Sequence, residues 1–260
     1  MFVYSGKTAL ITGASSGIGE AFVKEFAARK ANVILVARSK EKLETLAQQV
    51  RQEHKVDAHV ITSDLGSAEG VAKLVESTKS TGLKVDILVN NAGFGTYGKF
   101  EEIDAKREHD ELMLNVVALV DLTHAFLPPM LKAKEGAVIN VASTAGHQPV
   151  PYMATYAATK AFVLSFSEAL WYECKDRGVR VLSLDPGNTA TNFHEVASVP
   201  NLGLQETSEQ VVKVGLKALE EGRSSVISGF TNWFTSGFLP RIMPRQLMVQ
   251  AAGEIMKPRL

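Results

Sequence analysis

The chain has 260 residues, 45% of them hydrophobic, with 28 basic and 28 acidic side chains and a net charge of zero. That length supports one sizeable core, and the even charge argues against nucleic acid as a partner and against a solvating acidic tail. A single cysteine, Cys174, excludes an internal disulfide framework and fits a reducing, cytoplasmic setting.

Met1-Phe2-Val3-Tyr4 lacks the charged start of a signal peptide. The apolar run Thr8-Ala9-Leu10-Ile11 predicts a strand over 7–12, and Phe22, Val23 and Phe26 predict a helix over 17–29. Between them stands Thr12-Gly13-Ala14-Ser15-Ser16-Gly17-Ile18-Gly19. Strand, glycine turn and helix form the setting in which first-turn N–H groups face a dinucleotide phosphate. Further strands are predicted over 32–37, 57–62, 85–90, 136–142, 179–185 and 224–228, and helices over 40–53, 67–80, 105–131, 154–176 and 207–221. Most of the strands are continuous apolar runs, such as Val33-Ile34-Leu35-Val36, as expected when both faces are covered. The alternation predicts an α/β, single-domain, doubly wound (Rossmann) fold with a seven-stranded parallel sheet flanked by helices. One domain is expected over 1–260, with a substrate-loop segment over 188–206 and a C-terminal tail over 229–260.

The second strand ends Val36-Ala37-Arg38-Ser39. An acidic residue here would accept a ribose 2′-hydroxyl. Ala37 offers none, and Arg38 offers a permanent charge and a planar fork suited to a 2′-phosphate. NADP(H) is therefore the expected cofactor. Asn90-Asn91-Ala92-Gly93 closes the fourth strand and reads locally as a turn. Asn115, within Met113-Leu114-Asn115-Val116-Val117, is either a satisfied core amide or the holder of a water beside a catalytic group.

Ser143 follows the apolar strand Ala137 to Val141, at the strand end where open α/β sheets bind ligands. Its hydroxyl either caps a loop or bonds a carbonyl oxygen on which charge develops. Tyr156 and Lys160 share a helix face, one turn apart. A nearby ammonium is expected to lower the phenol pKa, so that Tyr156 exchanges a proton with an alcohol or carbonyl oxygen. Cys174 is read as a small packing residue. The six histidines show no H-x-x-x-H spacing, so no metal is expected. Phe94, Thr96, Tyr97, His147, Val150, Met153, Phe193 and Trp233 are the expected pocket residues, an apolar set suited to a hydrophobic ketone, aldehyde, acyl thioester or steroid. The tail aromatics Phe230, Trp233, Phe234 and Phe238 are read as a core or oligomer cover in preference to a membrane-surface anchor.

These motifs, spread from about Lys7 to Ile227, resemble the classical short-chain dehydrogenase/reductase family. The resemblance implies cofactor contacts from Gly13, Ser15, Ser16, Gly17, Ile18, Gly19 and Arg38. It adds Asp64 and Leu65 beside the adenine, Asn91, Ala92 and Gly93, and Pro186, Gly187, Thr189 and Thr191 around the nicotinamide carboxamide. It implies a catalytic tetrad of Asn115, Ser143, Tyr156 and Lys160, in which Tyr156 is the general acid/base and Ser143 orients the substrate. Lys160 then lowers the tyrosine pKa and holds the nicotinamide ribose, and Asn115 fixes a water in the proton relay. The implied activity is an NADP(H)-dependent exchange between a small-molecule carbonyl and a secondary alcohol, by a homodimer or homotetramer. The competing reading is an NADP-binding regulatory or scaffold protein on the same fold. Two departures stand out. Lys30-Ala31-Asn32 replaces the glycine expected after the first helix, which puts Asn32 in the left-handed conformation, and Asn188 occupies an often apolar position.

Overall fold

Seven parallel strands, β1 (Thr8–Thr12), β2 (Asn32–Ala37), β3 (Ala58–Thr62), β4 (Ile87–Asn90), β5 (Gly136–Val141), β6 (Val179–Asp185) and β7 (Ser225–Ile227), form one sheet in the order β3-β2-β1-β4-β5-β6-β7. This is a computed structural model, and it describes residues 2–199, 203 and 205–258. Parts of the expected loop (200–202 and 204) and the last two tail residues lie outside the described residues. The chain steps outward from β1 to β3, then crosses back to β4 on the other side of β1. That reversal leaves a crevice at the carboxyl ends of β1 and β4, where open α/β sheets take ligands.

Strand periodicity divides the core. In β1, Ile11 packs with α1 (Gly17–Ala28), α2 (Lys40–His54) and α8 (Ser208–Glu220), through Phe22, Phe26, Leu43, Val50 and Leu216. Leu10, its neighbour, faces the opposite layer. That layer holds Leu74 of α3 (Ala68–Ser80) and Leu122, Phe126 and Met130 of α5 (Ala118–Ala133). Both neighbours in the strand must therefore be apolar, which is why the run reads as unbroken. Each such side chain stabilises the fold by roughly 1.5–3 kcal/mol when fully buried.

Local chemistry sets the helix ends. Ser67 accepts from the Gly70 N–H at 3.1 Å at the start of α3, and Thr207 with Gln210 forms a capping box on α8. After α1 the left-handed residue is Lys30 (φ 63°), not Asn32. Asn32 is already in β2, where its Oδ1 accepts from the Asp57 N–H at 3.0 Å. The chain must turn two residues earlier than expected, and Lys30 takes the strained conformation.

The helix expected over 105–131 is a compound element. α4 (Ala105–Leu112) runs into a π turn over Met113–Val117 and then into α5. Among the described residues this stretch, Ala105–Ala133, is the one long and apolar enough to cross a membrane by length and composition. In this fold Leu122, Phe126 and Met130 pack against the sheet. α6 (Ala154–Cys174) follows β5, and α7 (Phe193–Ala197) follows β6. The tail forms α9 (Phe230–Asn232), a π turn over Trp233–Phe238, α10 (Leu239–Ile242) and α11 (Arg245–Met256).

Candidate active site

A cleft of about 1110 Å³ runs along the carboxyl ends of the strands. At one end it is bordered by Gly13, Ser15, Ser16, Gly17 and Ile18, with Ala37, Arg38, Asp64 and Leu65 beside them. Asn91, Ala92 and Gly93 follow, then Ser143, Tyr156 and Lys160, then Pro186, Gly187, Thr189 and Thr191. Gly19 and Asn115 are the two expected site residues that do not border it. Gly19 packs behind the turn, where a Cβ would stand 2.2 Å from the Gly13 carbonyl oxygen. Gly13 itself has φ 65°, the left-handed turn that leads into α1.

Thr12 fixes this turn to the sheet. Its hydroxyl accepts the Asn91 and Ala92 N–H groups, both at 2.9 Å, and Asn91 Nδ2 donates to the Thr12 carbonyl at 2.8 Å. The residues present fit a dinucleotide phosphate. Ser16 extends no side-chain cap to α1, so the first-turn N–H groups remain available at the cleft. Arg38 is exposed there and makes no hydrogen bond or ion pair among the described residues.

Deeper in the cleft, α6 brings Tyr156 and Lys160 beside the end of β5. Both are buried, and Ser143 borders the same part of the cleft, close enough to act on the Tyr156 phenol. Lys160 Nζ donates to the Val141 carbonyl at 2.9 Å and lies 5.7 Å from the Tyr156 ring centre. The π turn presents Asn115 toward the loop after β4. Its Oδ1 accepts from the Phe94 N–H at 3.1 Å, and its Nδ2 donates to the Phe94 carbonyl at 2.8 Å and to Thr159 Oγ1 at 3.1 Å. The buried amide is fully satisfied by this clasp.

Residues 7–199 match the family model described as short chain dehydrogenase. The chain belongs to the short-chain dehydrogenase family. A very-long-chain 3-oxoacyl-CoA reductase from Anas platyrhynchos is 32% identical to this dehydrogenase over 259 residues, covering 96% of this chain and 81% of its own length. An inactive hydroxysteroid dehydrogenase-like protein 1 from Homo sapiens is 35% identical over 191 residues. That match covers 72% of this chain but 57% of the human protein, so this chain spans little more than half of that relative. Among solved structures, a short-chain dehydrogenase from Sphingobium yanoikuyae in complex with NADPH superposes with a TM-score of 0.83 at 30% identity, over 98% of this chain and 96% of its own.

Electrostatics at the site of this dehydrogenase differ from expectation. The Tyr156 phenol is pushed up to about 12, mainly by burial, with nearby Ser143 pulling the other way and the charge of Glu111 adding to the rise. Burial brings the Lys160 ammonium down to about 8, against the favourable charges of Glu111 and Asp185. The expected lowering of the tyrosine by its lysine is not seen: burial dominates, and the downward pull comes from Ser143.

Four expected pocket residues do not border the cleft. Thr96 is buried against Glu108 and Glu111, and the Tyr97 hydroxyl donates to the Met256 carbonyl at 2.8 Å. His147 Nε2 pairs with the buried Asp185 Oδ2 at 2.8 Å, and Trp233 stacks with Phe238 on the outer surface. Phe94, Val150, Met153 and Phe193 do border it. Sequence reading missed Leu114 and Val196, and also Ala252, Ile255 and Met256, which α11 folds back to the cleft mouth. No local motif marks a tail that returns over such a distance. The clasp holding the loop after β6 was also missed. Glu206 accepts from Ser228 Oγ at 2.8 Å and from Asn232 Nδ2 at 2.9 Å, tying loop and tail together.

Proposed function

We propose that this chain is an NADP(H)-dependent reductase of large apolar carbonyl compounds, with a long-chain 3-oxoacyl thioester as the first substrate class to test. The observation that carries the reading is the buried Tyr156, beside Ser143 and Lys160, in a cleft that continues from the Gly13 turn to the apolar wall of Phe94, Val150, Met153 and Phe193. The reductase from Anas platyrhynchos supports the thioester class, and the NADPH complex from Sphingobium yanoikuyae supports the cofactor.

In this reading the turn from Gly13 to Gly19 holds the pyrophosphate and Arg38 the 2′-phosphate. Asp64 and Leu65 flank the adenine, while Asn91 to Gly93 and Pro186 to Thr191 hold the nicotinamide end. The nicotinamide, when bound, supplies the hydride. Ser143 donates to the carbonyl oxygen and orients it, and the negative charge that develops there strengthens that bond. Tyr156 gives the proton. A phenol held up by burial stays protonated at neutral pH, the form that can protonate an alkoxide, so its environment favours reduction. Lys160 stabilises the phenolate left behind, and Asn115 positions the loop carrying Phe94. The loop after β6 and the tail from Gly229 close the substrate side.

The deciding experiment follows NADPH absorbance with a long-chain 3-oxoacyl-CoA and with a bulky apolar ketone. Turnover of either is expected, and Tyr156→Phe should lower it at least about a hundredfold while leaving NADPH affinity unchanged. Tight NADPH binding without turnover of any carbonyl would favour a regulatory or scaffold protein.

A homodimer or homotetramer is the proposed assembly. Cys174 is a buried free thiol, held up by burial, in keeping with a packing role in a reducing compartment.

A further inference from the structure

The pair formed by His147 and Asp185 is used by no step of the mechanism above. His147 was expected in the pocket, but its imidazole does not border the cleft, and its Nε2 lies 2.8 Å from Asp185 Oδ2. Asp185 ends β6 with no exposed surface, and Ser183 Oγ donates to its other oxygen at 2.5 Å. The His147 side chain keeps 10% of its surface exposed. A carboxylate so buried needs a donor on each oxygen, and it can only accept, so Nε2 carries the hydrogen.

His147 closes the 3-10 turn Thr144–His147 that begins at Ser143. The turn is held on two sides. Against α6, Gly146 sits so close that a Cβ there would stand 2.7 Å from the Lys160 carbonyl oxygen. Against β6, the Thr144 N–H donates to the Pro186 carbonyl at 2.9 Å, and His147 reaches the residue just before that proline. Within the turn, Ser143 Oγ accepts the Ala145 N–H at 3.1 Å, so the turn sets where the hydroxyl points. The Ser143 hydroxyl and the loop over 186–191 are thus referred to the same two residues at the end of β6. Neither His147 nor Asp185 is among the site residues that the family resemblance supplies.

We propose that His147 and Asp185 are positioning residues that hold the Ser143 hydroxyl in register with the loop at the nicotinamide end of the cleft. The inference rests on Ser143 orienting the substrate carbonyl. Neither residue borders the cleft, and each acts through the turn. A misplacement of about 1 Å in an orienting group can cost about a hundredfold in rate. A hydrogen bond to a carboxylate is among the stronger ones, and here it stops the far end of a one-turn segment from drifting toward solvent.

The test uses the full-length protein with NADPH and a long-chain 3-oxoacyl-CoA or a bulky apolar ketone. His147→Asn is too short to reach Asp185 and should lower kcat about tenfold or more, with the NADPH Kd unchanged. His147→Gln puts an amide N–H near the place of Nε2 and should bring kcat back to within about twofold of the wild type. In a Ser143→Ala background His147→Asn should cost nothing further, because its effect passes through that hydroxyl. A merely structural pair would instead lower Tm and leave the kcat of the folded enzyme alone. Were His147→Asn unable to fold, His147→Phe combined with Asp185→Leu removes both partners and leaves no buried charge unpaired. That double variant should fold and show the same loss of kcat. In protein labelled with 15N-histidine, an imidazole N–H protected from exchange should be present in the wild type and absent from His147→Gln. No such signal in the wild type, equal losses in His147→Asn and His147→Gln, or a full further loss in the Ser143→Ala background would overturn the positioning role. So would wild-type kcat in His147→Asn beside a disabled Ser143→Ala. Undiminished turnover in Ser143→Ala would overturn the mechanism on which the role rests.

Discussion

Arg38 shows what one residue at a strand end can specify. Its guanidinium is exposed at the cleft and engaged with no other described residue, so a phosphate there would meet a fork already free to bind. Arg38→Ala should weaken NADPH binding by roughly ten- to a hundredfold, equal to about 1.4–2.8 kcal/mol, and leave NADH affinity unchanged. Ala37→Asp should favour NADH, because its carboxylate accepts a 2′-hydroxyl and repels a phosphate. An unchanged NADPH/NADH ratio by fluorescence titration in Arg38→Ala would place the phosphate elsewhere. Glu111 gives a second residue-scale prediction. Its folded pKa, about 7, lies above its ordinary value of 4.5. The folded state therefore binds more protons than the unfolded one between those values, and the stability Glu111 contributes is lost as pH rises through about 7. Each tenfold change in proton affinity is worth about 1.4 kcal/mol. Glu111→Gln cannot ionise, so its Tm should exceed that of the wild type at pH 8 and approach it near pH 5; equal Tm differences at both pH values would refute the shift. The sequence brought Tyr156, Lys160, Ser143 and Arg38 to one cleft because helix spacing and strand-end position can be read without knowing any contact. It could not reveal the rise in the Tyr156 pKa, because i,i+4 spacing tells nothing of burial. Nor could it reveal that Thr96 and His147 face buried carboxylates from other segments.

Elements were legible where a periodicity extended over several residues. The seven strands lie within two residues of their expected bounds, most clearly β1, β4 and β5, whose apolar runs are buried throughout. The π turn over Met113–Val117 escaped notice, since its residues fit an ordinary helix equally well. It has a consequence, because π bulges insert one residue and turn the side chains that follow. Here it delivers Asn115 to both main-chain groups of Phe94. Asn115→Ala should leave those groups short of partners and cost about 1–3 kcal/mol in denaturant unfolding. It should also loosen the loop carrying Phe94 and raise KM. An unchanged unfolding midpoint would mean that the clasp adds nothing. The left-handed turn fell at Lys30 for a related reason. Asn32 is recruited by the Asp57 N–H into β2, so the turn must come earlier, and a contact with another segment decided a local geometry.

For the molecule as a whole, the open question is what covers its exposed apolar faces. The tail aromatics were expected to be core or a cover between copies. Within one chain they are not core, since Phe230 is 78% exposed and Trp233 44%. A second face is built by α4, α5 and α6, where Leu112, Val117 and Tyr172 are exposed and Phe162 stacks on Phe166 with ring centres 5.7 Å apart. Beneath it Leu119, Ala142 and Val163 form a small buried cluster separate from the two main cores, so this face is backed by packed side chains and is rigid. A rigid, mostly uncharged helix pair suits pairing with its own copy about a two-fold axis, in which each patch meets the same patch. Sedimentation should therefore show a dimer or tetramer at micromolar concentration. Phe162→Asp places a charge at the centre of that contact, where it would be desolvated without a partner, and should weaken association at least about a hundredfold. Trp233→Asp on the tail face should leave the assembly unchanged if α5 and α6 make the contact. The opposite outcome, dissociation by Trp233→Asp but not by Phe162→Asp, would transfer the interface to the tail and leave the α5–α6 face without a partner.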